Sequence, residues 1–119
     1  MPQAGASAYP SVAGVVVELI GDLDKQLAEM VAVTLRDLPR GEWAIVGLTH
    51  ILGHDRDGIE RFSRTIAEAR LTGRAITVSA PNHRLRSALE ALRLHCGRFE
   101  PGDAQRRHIF LARKKSKSI

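Results

Sequence analysis

The sequence lacks the features that identify several common protein classes. Cys96 is the single cysteine among 119 residues, so no intrachain disulfide can form, which is typical of a reducing compartment. No apolar run approaches the length of a membrane span, and no basic segment precedes an apolar one at the N-terminus, as it would in a secretory signal. These absences predict a soluble, cytoplasmic protein.

Short motifs for covalent or phosphate-binding chemistry are also missing, since neither Gly-x-Ser-x-Gly nor Gly-x-x-x-x-Gly-Lys occurs. Cys96 directly follows His95, and residues adjacent in sequence seldom face each other as nucleophile and base. His50 and His54 are four residues apart, but Gly53 between them argues against a shared helical face, and no third ligand is near in sequence. We therefore expect no enzyme, no metal, no bound cofactor and no small-molecule substrate.

The excess of positive charge is confined to the C-terminal end. Residues 1–102 contain 12 Lys and Arg against 12 Asp and Glu, whereas residues 103–119 contain six basic residues and one acid. The tail "RKKSKS" (113–118) is short and has no interleaved aromatic residues, which favours a solvated end. Binding of nucleic acid or another polyanion is the least supported function.

Three β-branched segments predict strands: "GVVVELIG" (14–21), "WAIVGL" (43–48) and "AITVSA" (75–80). Each is followed by apolar residues at three- and four-residue steps, as in an amphipathic helix. The resulting order is βαβαβα, which is typical of parallel strands joined by helical crossovers. The inward-facing residues should include Leu27, Ile45, Phe62, Ile66, Val78 and Leu89.

The ends of the chain are harder to assign. Residues 1–11 and 113–119 are polar or small enough to be mobile. The segment "AQRRHIFLARKK" (104–115) is predicted to be a helix that buries Ala104, His108 and Leu111, with Ile109 as a further candidate, because Arg, Gln and Ala surround its apolar residues. The alternative is a strand through "HIFLA" (108–112).

Two acidic segments follow the first and second predicted strands: "GDLD" (21–24) and "GHDRDG" (53–58). The carboxyl ends of parallel strands meet at one edge of a sheet, so these segments should lie together. Asp57 precedes Glu60 by three residues, which fits a capping box, and Asp24 is placed to cap the first helix. The role of Asp22 stays open.

The order of these pieces resembles the STAS domain family, which includes bacterial anti-sigma-factor antagonists and the cytoplasmic part of sulfate transporters. "GDLD" corresponds to the family's Gly-Glu-Leu-Asp, "DRDG" (55–58) to Asp-Ser-Ser-Gly, and the run from Gly73 onward to a Gly-strand-Pro-helix unit. The resemblance covers residues 15–94. It implies an α/β fold with a four- or five-strand, mostly parallel or mixed sheet, helices mainly on one face, and an extra edge strand in "SAYPSV" (7–12).

The resemblance also marks a departure at the regulatory position. In antagonists of this family, the serine directly before the motif glycine is phosphorylated by an anti-sigma kinase, and that position is Asp57 here. A carboxylate cannot form the phosphate ester, so Asp57 would carry a permanent charge of about −1, against about −1.5 to −2 for phosphoserine. Two interpretations stay open, a partial mimic of phosphoserine and a simple helix cap.

By this resemblance the chain would be a non-enzymatic module in partner-switching transcription regulation. Its partner would be an anti-sigma factor with a histidine-kinase-like ATPase fold. The alternative is an accessory STAS subunit of a membrane transporter, which would meet the membrane only through its partner. The expected partner-binding residues are Asp22, Asp24, Asp55, Arg56, Asp57, Gly58 and Arg61.

Overall fold

The computed structural model describes residues 14–39, 41–97 and 107–112. Its strands are β1 (Val15–Leu23), β2 (Ala44–His54), β3 (Ile76–Ser79) and β4 (Arg107–Ala112), and its helices are α1 (Lys25–Asp37), α2 (Arg56–Leu71) and α3 (His83–Ala91). The predicted βαβαβα order is confirmed. The predicted mobile ends, residues 1–11 and 113–119, and the predicted edge strand 7–12 lie outside the described residues.

The four strands form one parallel sheet in the order β3-β2-β1-β4. The α/β class is therefore confirmed, and the described part of the sheet is parallel throughout. Gly97 extends the sheet beyond β3 by one bridge, since its N–H donates to Val78 O and its carbonyl accepts from Ala80 N, both at 2.8 Å. The carboxyl ends of β1 and β2 consequently lie side by side.

All three helices pack on one face of the sheet. The residues of β1 that alternate toward them, Val15, Val17 and Leu19, are fully buried. Leucines of α1 and α3 and the isoleucines and phenylalanine of α2 join them in one core. The predicted core residues are confirmed as buried, at 0–2% exposure: Leu27, Ile45, Phe62, Ile66, Val78 and Leu89. Of these, Ile45 lies on the opposite face of the sheet, beside Val16.

The predicted C-terminal helix is wrong where the structure describes it, because residues 107–112 form strand β4. These residues pair in parallel with β1, from Val15 with Arg107 to Ile20 with Ala112. Ile109 and Leu111 pack against the core, while Phe110 between them is 62% exposed. This alternation has the period of a strand, and pairing with β1 satisfies backbone groups that would otherwise lie at a sheet edge.

No helix among the described residues has the length and apolar character required to cross a membrane.

Candidate functional site

The two predicted acidic segments meet at the carboxyl edge of the sheet. β1 is separated from α1 by a single residue, Asp24, and β2 from α2 by a single residue, Asp55. Each aspartate caps the helix that follows: Asp24 Oδ1 accepts from Leu27 N at 2.9 Å, and Asp55 Oδ1 accepts from Gly58 N at 2.7 Å. Both helices therefore begin at the same end of the molecule, with their N-termini adjacent.

The first turn of α2 is fitted closely onto the connection between β1 and α1. Asp55 N donates to Leu23 O at 3.4 Å. Gly58 is buried, and a Cβ atom added there would overlap Leu23 O and lie 2.6 Å from the Cα atom of Asp24. A glycine is required at this position because the chain's own backbone fills the space of a side chain. Gly58 was predicted to bind a partner; its close fit against Leu23 and Asp24 gives it a role within the fold.

Asp57 has a different environment from the two capping aspartates. It occupies the second position of α2, is exposed, and has no hydrogen-bond or ion-pair partner among the described residues. The predicted capping box of Asp57 and Glu60 is wrong, because Asp55 provides the cap and Glu60 binds Arg56 Nε at 3.2 Å. The Arg56 side chain is 88% exposed, so that pair contributes little to stability.

A shallow cleft of about 320 Å³ lies between the two helix N-termini. Four carboxylates and one ammonium group line it, so its charge is negative. We call the four carboxylates the acidic corner; they belong to Asp24, Glu29, Asp55 and Asp57. The positive ends of two helix dipoles offset part of the repulsion between them. This excess of negative charge suits the cleft to binding a positively charged surface.

The other predicted site residues lie around this corner. Asp22 is paired with Gly53 across the strands, and its Oδ1 is the atom that a Cβ on Gly53 would approach, at 3.2 Å. Arg61 lies farther along α2 and faces Glu29 of α1, with Nη2 3.8 Å from Oε2. The structure therefore brings Asp24, Asp55 and Asp57 together and places Asp22 and Arg61 at their margins.

A surface leucine at the same end of the sheet was missed by sequence reasoning. β2 continues to His54, six residues beyond the predicted strand end, and contains two bulges relative to β1. At the second bulge, Gly21 pairs with Ile51 and Asp22 with Gly53, so Leu52 is left without a partner and is 85% exposed. A regular strand alternating from Leu48 would have turned Leu52 inward. The first bulge, between Gly47 and His50, changes the phase of this alternation, so Ile51 turns inward instead.

The histidine and cysteine hypotheses receive no geometric support. His50 and His54 lie in β2, and no group of three or more His, Cys, Asp and Glu side chains is arranged to hold a metal among the described residues. Cys96 is 5% exposed, and its Sγ donates to Leu94 O at 3.4 Å. Burial raises the pKa of the thiol from 9.0 to about 11, with a smaller contribution from the Glu90 carboxylate. This environment disfavours the thiolate.

Comparisons of the chain with protein-family models, with curated proteins and with solved structures found no match. The STAS resemblance therefore stays a prediction.

Proposed function

We propose that the chain is a non-enzymatic regulatory module of the STAS type that acts in the cytoplasm and binds a partner protein through the acidic corner. The observation that carries this proposal is Asp57. It is a charged side chain in the first turn of α2 that is exposed and has no partner among the described residues. Since Asp55 already caps the helix, the fold does not depend on Asp57 for that role.

An exposed apolar side chain at the same end of the sheet as the acidic corner supports binding to a protein. Leu52 is 85% exposed and lies three residues before Asp55, at the same carboxyl end of the sheet. Interfaces commonly combine a large apolar anchor, which supplies affinity, with charges that select and orient the partner. Leu52 would be the anchor and the acidic corner would select a basic surface.

The STAS resemblance supplies the class of partner. By that resemblance it is an anti-sigma factor with a histidine-kinase-like ATPase fold, and Asp57 holds permanently the charge that relatives gain through phosphorylation. Asp57 would then imitate the phosphorylated antagonist, which has the lower affinity for its kinase. An accessory subunit of a membrane transporter would use the same corner, and the identity of the partner separates these two functions.

The test begins with affinity capture of the full chain from cells of its source, followed by purification of the captured protein. Wild type, Asp57→Ser and Leu52→Ser are then titrated against that protein by calorimetry. Asp37→Asn is the matched control, because Asp37 is an exposed acid at the opposite end of α1. Circular dichroism establishes that each variant is folded.

Leu52→Ser should weaken binding about tenfold or more, as loss of a central apolar anchor does. Asp57→Ser should strengthen binding to an anti-sigma kinase and take up phosphate from ATP in its presence, while Asp37→Asn should match wild type. Identical affinities for wild type, Leu52→Ser and Asp57→Ser would contradict binding through this surface. A changed affinity without phosphate uptake would support binding through this surface and would contradict the interpretation of Asp57 as a mimic of phosphoserine.

A further inference from the structure

A second cavity lies on the same helical layer, away from the acidic corner. It is a groove of about 540 Å³ between the C-terminal half of α1 (residues 32–38) and the facing side of α2 with the turn that follows it (residues 61–74). Its volume is within the range of small-molecule sites, about 300–1,000 Å³. The Arg61–Glu29 pair separates it from the acidic corner.

The lining of this groove is apolar in its deeper part and positively charged around it. Leu35 and Leu38 are 2% and 7% exposed, and Ala32 and Ala69 extend the apolar surface. The charged lining residues are Arg36, Arg61, Arg74 and Glu68, which is three cations against one anion. The groove is therefore opposite in charge to the acidic corner.

Two of the guanidinium groups have unused hydrogen-bonding capacity. Arg61 Nε is buried and has no hydrogen-bond partner among the described residues, although Nη2 of the same group lies 3.8 Å from Glu29. The Arg36 side chain has no hydrogen-bond or ion-pair partner among the described residues. A buried charged donor without an acceptor is costly, and an anion in the groove would satisfy it.

The C-terminal ends of two helices would normally repel an anion, but several of their carbonyl groups accept hydrogen bonds here. Arg74 Nη2 donates to Arg36 O at 3.3 Å, and Nη1 donates to Pro39 O at 3.5 Å. At the end of α2, Thr72 Oγ1 donates to Ala69 O at 2.7 Å. These bonds reduce the negative potential that unpaired helix carbonyls would produce in the groove.

We propose that this groove binds a small organic anion, in which one carboxylate or phosphate head joins a short unbranched apolar chain. The head would be held by Arg36 and Arg61, because guanidinium groups match carboxylate and phosphate oxygens in charge and geometry. The chain would lie along Leu35, Leu38 and Ala69. This site is independent of the acidic corner, so its failure would leave the proposed protein interface unaffected.

The probes are octanoate and octyl phosphate, each used below its critical micelle concentration with the full chain. Acetate and inorganic phosphate test the head alone, and 1-octanol tests the apolar chain alone. Binding is followed by backbone amide chemical shifts in nuclear magnetic resonance titrations. We expect octanoate and octyl phosphate to cause saturable shifts within residues 32–38 and 61–74. Acetate, inorganic phosphate and 1-octanol should bind at least about tenfold more weakly than these two anions.

Variants locate the head group. Arg36→Gln and Arg61→Gln should each weaken binding about tenfold, since each removes a charge-assisted hydrogen bond. The matched control is Arg64→Gln, an exposed arginine of α2 that does not line the groove, and it should bind as wild type does. Arg36 is itself exposed, so its variant remains informative if Arg61→Gln fails to fold. The proposal would be overturned if the shifts lay outside the groove or if neither octanoate nor octyl phosphate reached saturation. It would also be overturned if 1-octanol bound as tightly as these two anions, or if Arg36→Gln and Arg61→Gln both kept the wild-type affinity.

Discussion

The carbonyl oxygen of Leu23, the last residue of β1, occupies the space that a side chain on Gly58 would need. This contact fixes the start of α2 against the end of β1. Replacement of Gly58 by alanine therefore forces one of the two backbone segments to move. Their separation decides how closely the acids of the two connections approach each other.

Gly58→Ala should lower the free energy of unfolding by about 1–3 kcal/mol, the usual cost of overpacking, even though alanine is the better helix former. Gly53→Ala is the matched control, because its Cβ would meet only the Oδ1 atom of Asp22, at 3.2 Å, and that side chain can rotate. Urea denaturation measures both. A Gly58→Ala protein as stable as wild type would show that the close fit is wrong.

The two aspartates of the first turn should differ in their contribution to stability. Asp55→Ala removes the bond to Gly58 N and should cost about 1–2 kcal/mol, as loss of an N-cap does. Asp57→Asn removes only a charge near the helix N-terminus and should cost about 0.3 kcal/mol. Thermal unfolding monitored by circular dichroism compares them at equal ionic strength. An equal or larger loss in Asp57→Asn would assign the structural role to Asp57 after all.

This division of roles is the part of the site that sequence alone could not settle. Two acids two residues apart, Asp55 and Asp57, both precede the helical pattern that begins at Ile59. Capping chemistry fits either of them, and the choice depends on where β2 ends. Because β2 runs to His54, α2 begins at Arg56 and Asp55 becomes the cap. The predicted cap by Asp24 is confirmed, because β1 runs to Leu23 and α1 begins at Lys25.

The fold was more predictable than the site, for a physical reason. Periodicity in burial extends over whole elements, so residues such as Leu27, Phe62 and Leu89 could be placed inward with the strand and helix order alone. A bulge is a local event without a periodic pattern, so the outward turn of Leu52 was not predicted. The strand at residues 107–112 depends on pairing with β1, which is distant in sequence, and local helix propensity gave the wrong answer there.

Core substitutions test the packing of the helices on the sheet. Ile66→Ala and Leu89→Ala should each lower the free energy of unfolding by about 2–5 kcal/mol, because both side chains are fully buried in the helix-side core. Leu71→Ala is the control on the same helix as Ile66, since Leu71 is 85% exposed and should change stability by no more than about 0.5 kcal/mol. Guanidinium denaturation measures all three, and similar losses at Ile66 and Leu71 would mean that the buried face of α2 is misplaced.

Cys96 should give the protein a measurable dependence on alkaline pH. Burial raises the pKa of its thiol from 9.0 to about 11, the Glu90 carboxylate adds to this effect, and Arg70 and Arg86 oppose it. Between these two pH values the unfolded chain loses the thiol proton while the folded chain keeps it. The unfolded state then binds fewer protons, so the free energy of unfolding falls as the pH rises through that interval.

The contribution of Cys96 is isolated by comparing wild type with Cys96→Ala, because every other titratable group is the same in both proteins. The stability of wild type should fall more steeply between pH 9 and 11 than that of the variant, and the two slopes should agree below pH 8. A thiol reagent at pH 8 should also modify Cys96 much more slowly in the folded protein than in urea, since the reactive thiolate is suppressed by burial. Parallel pH profiles together with rapid modification of the folded protein would show that the thiol is accessible to solvent and not buried at the edge of β3.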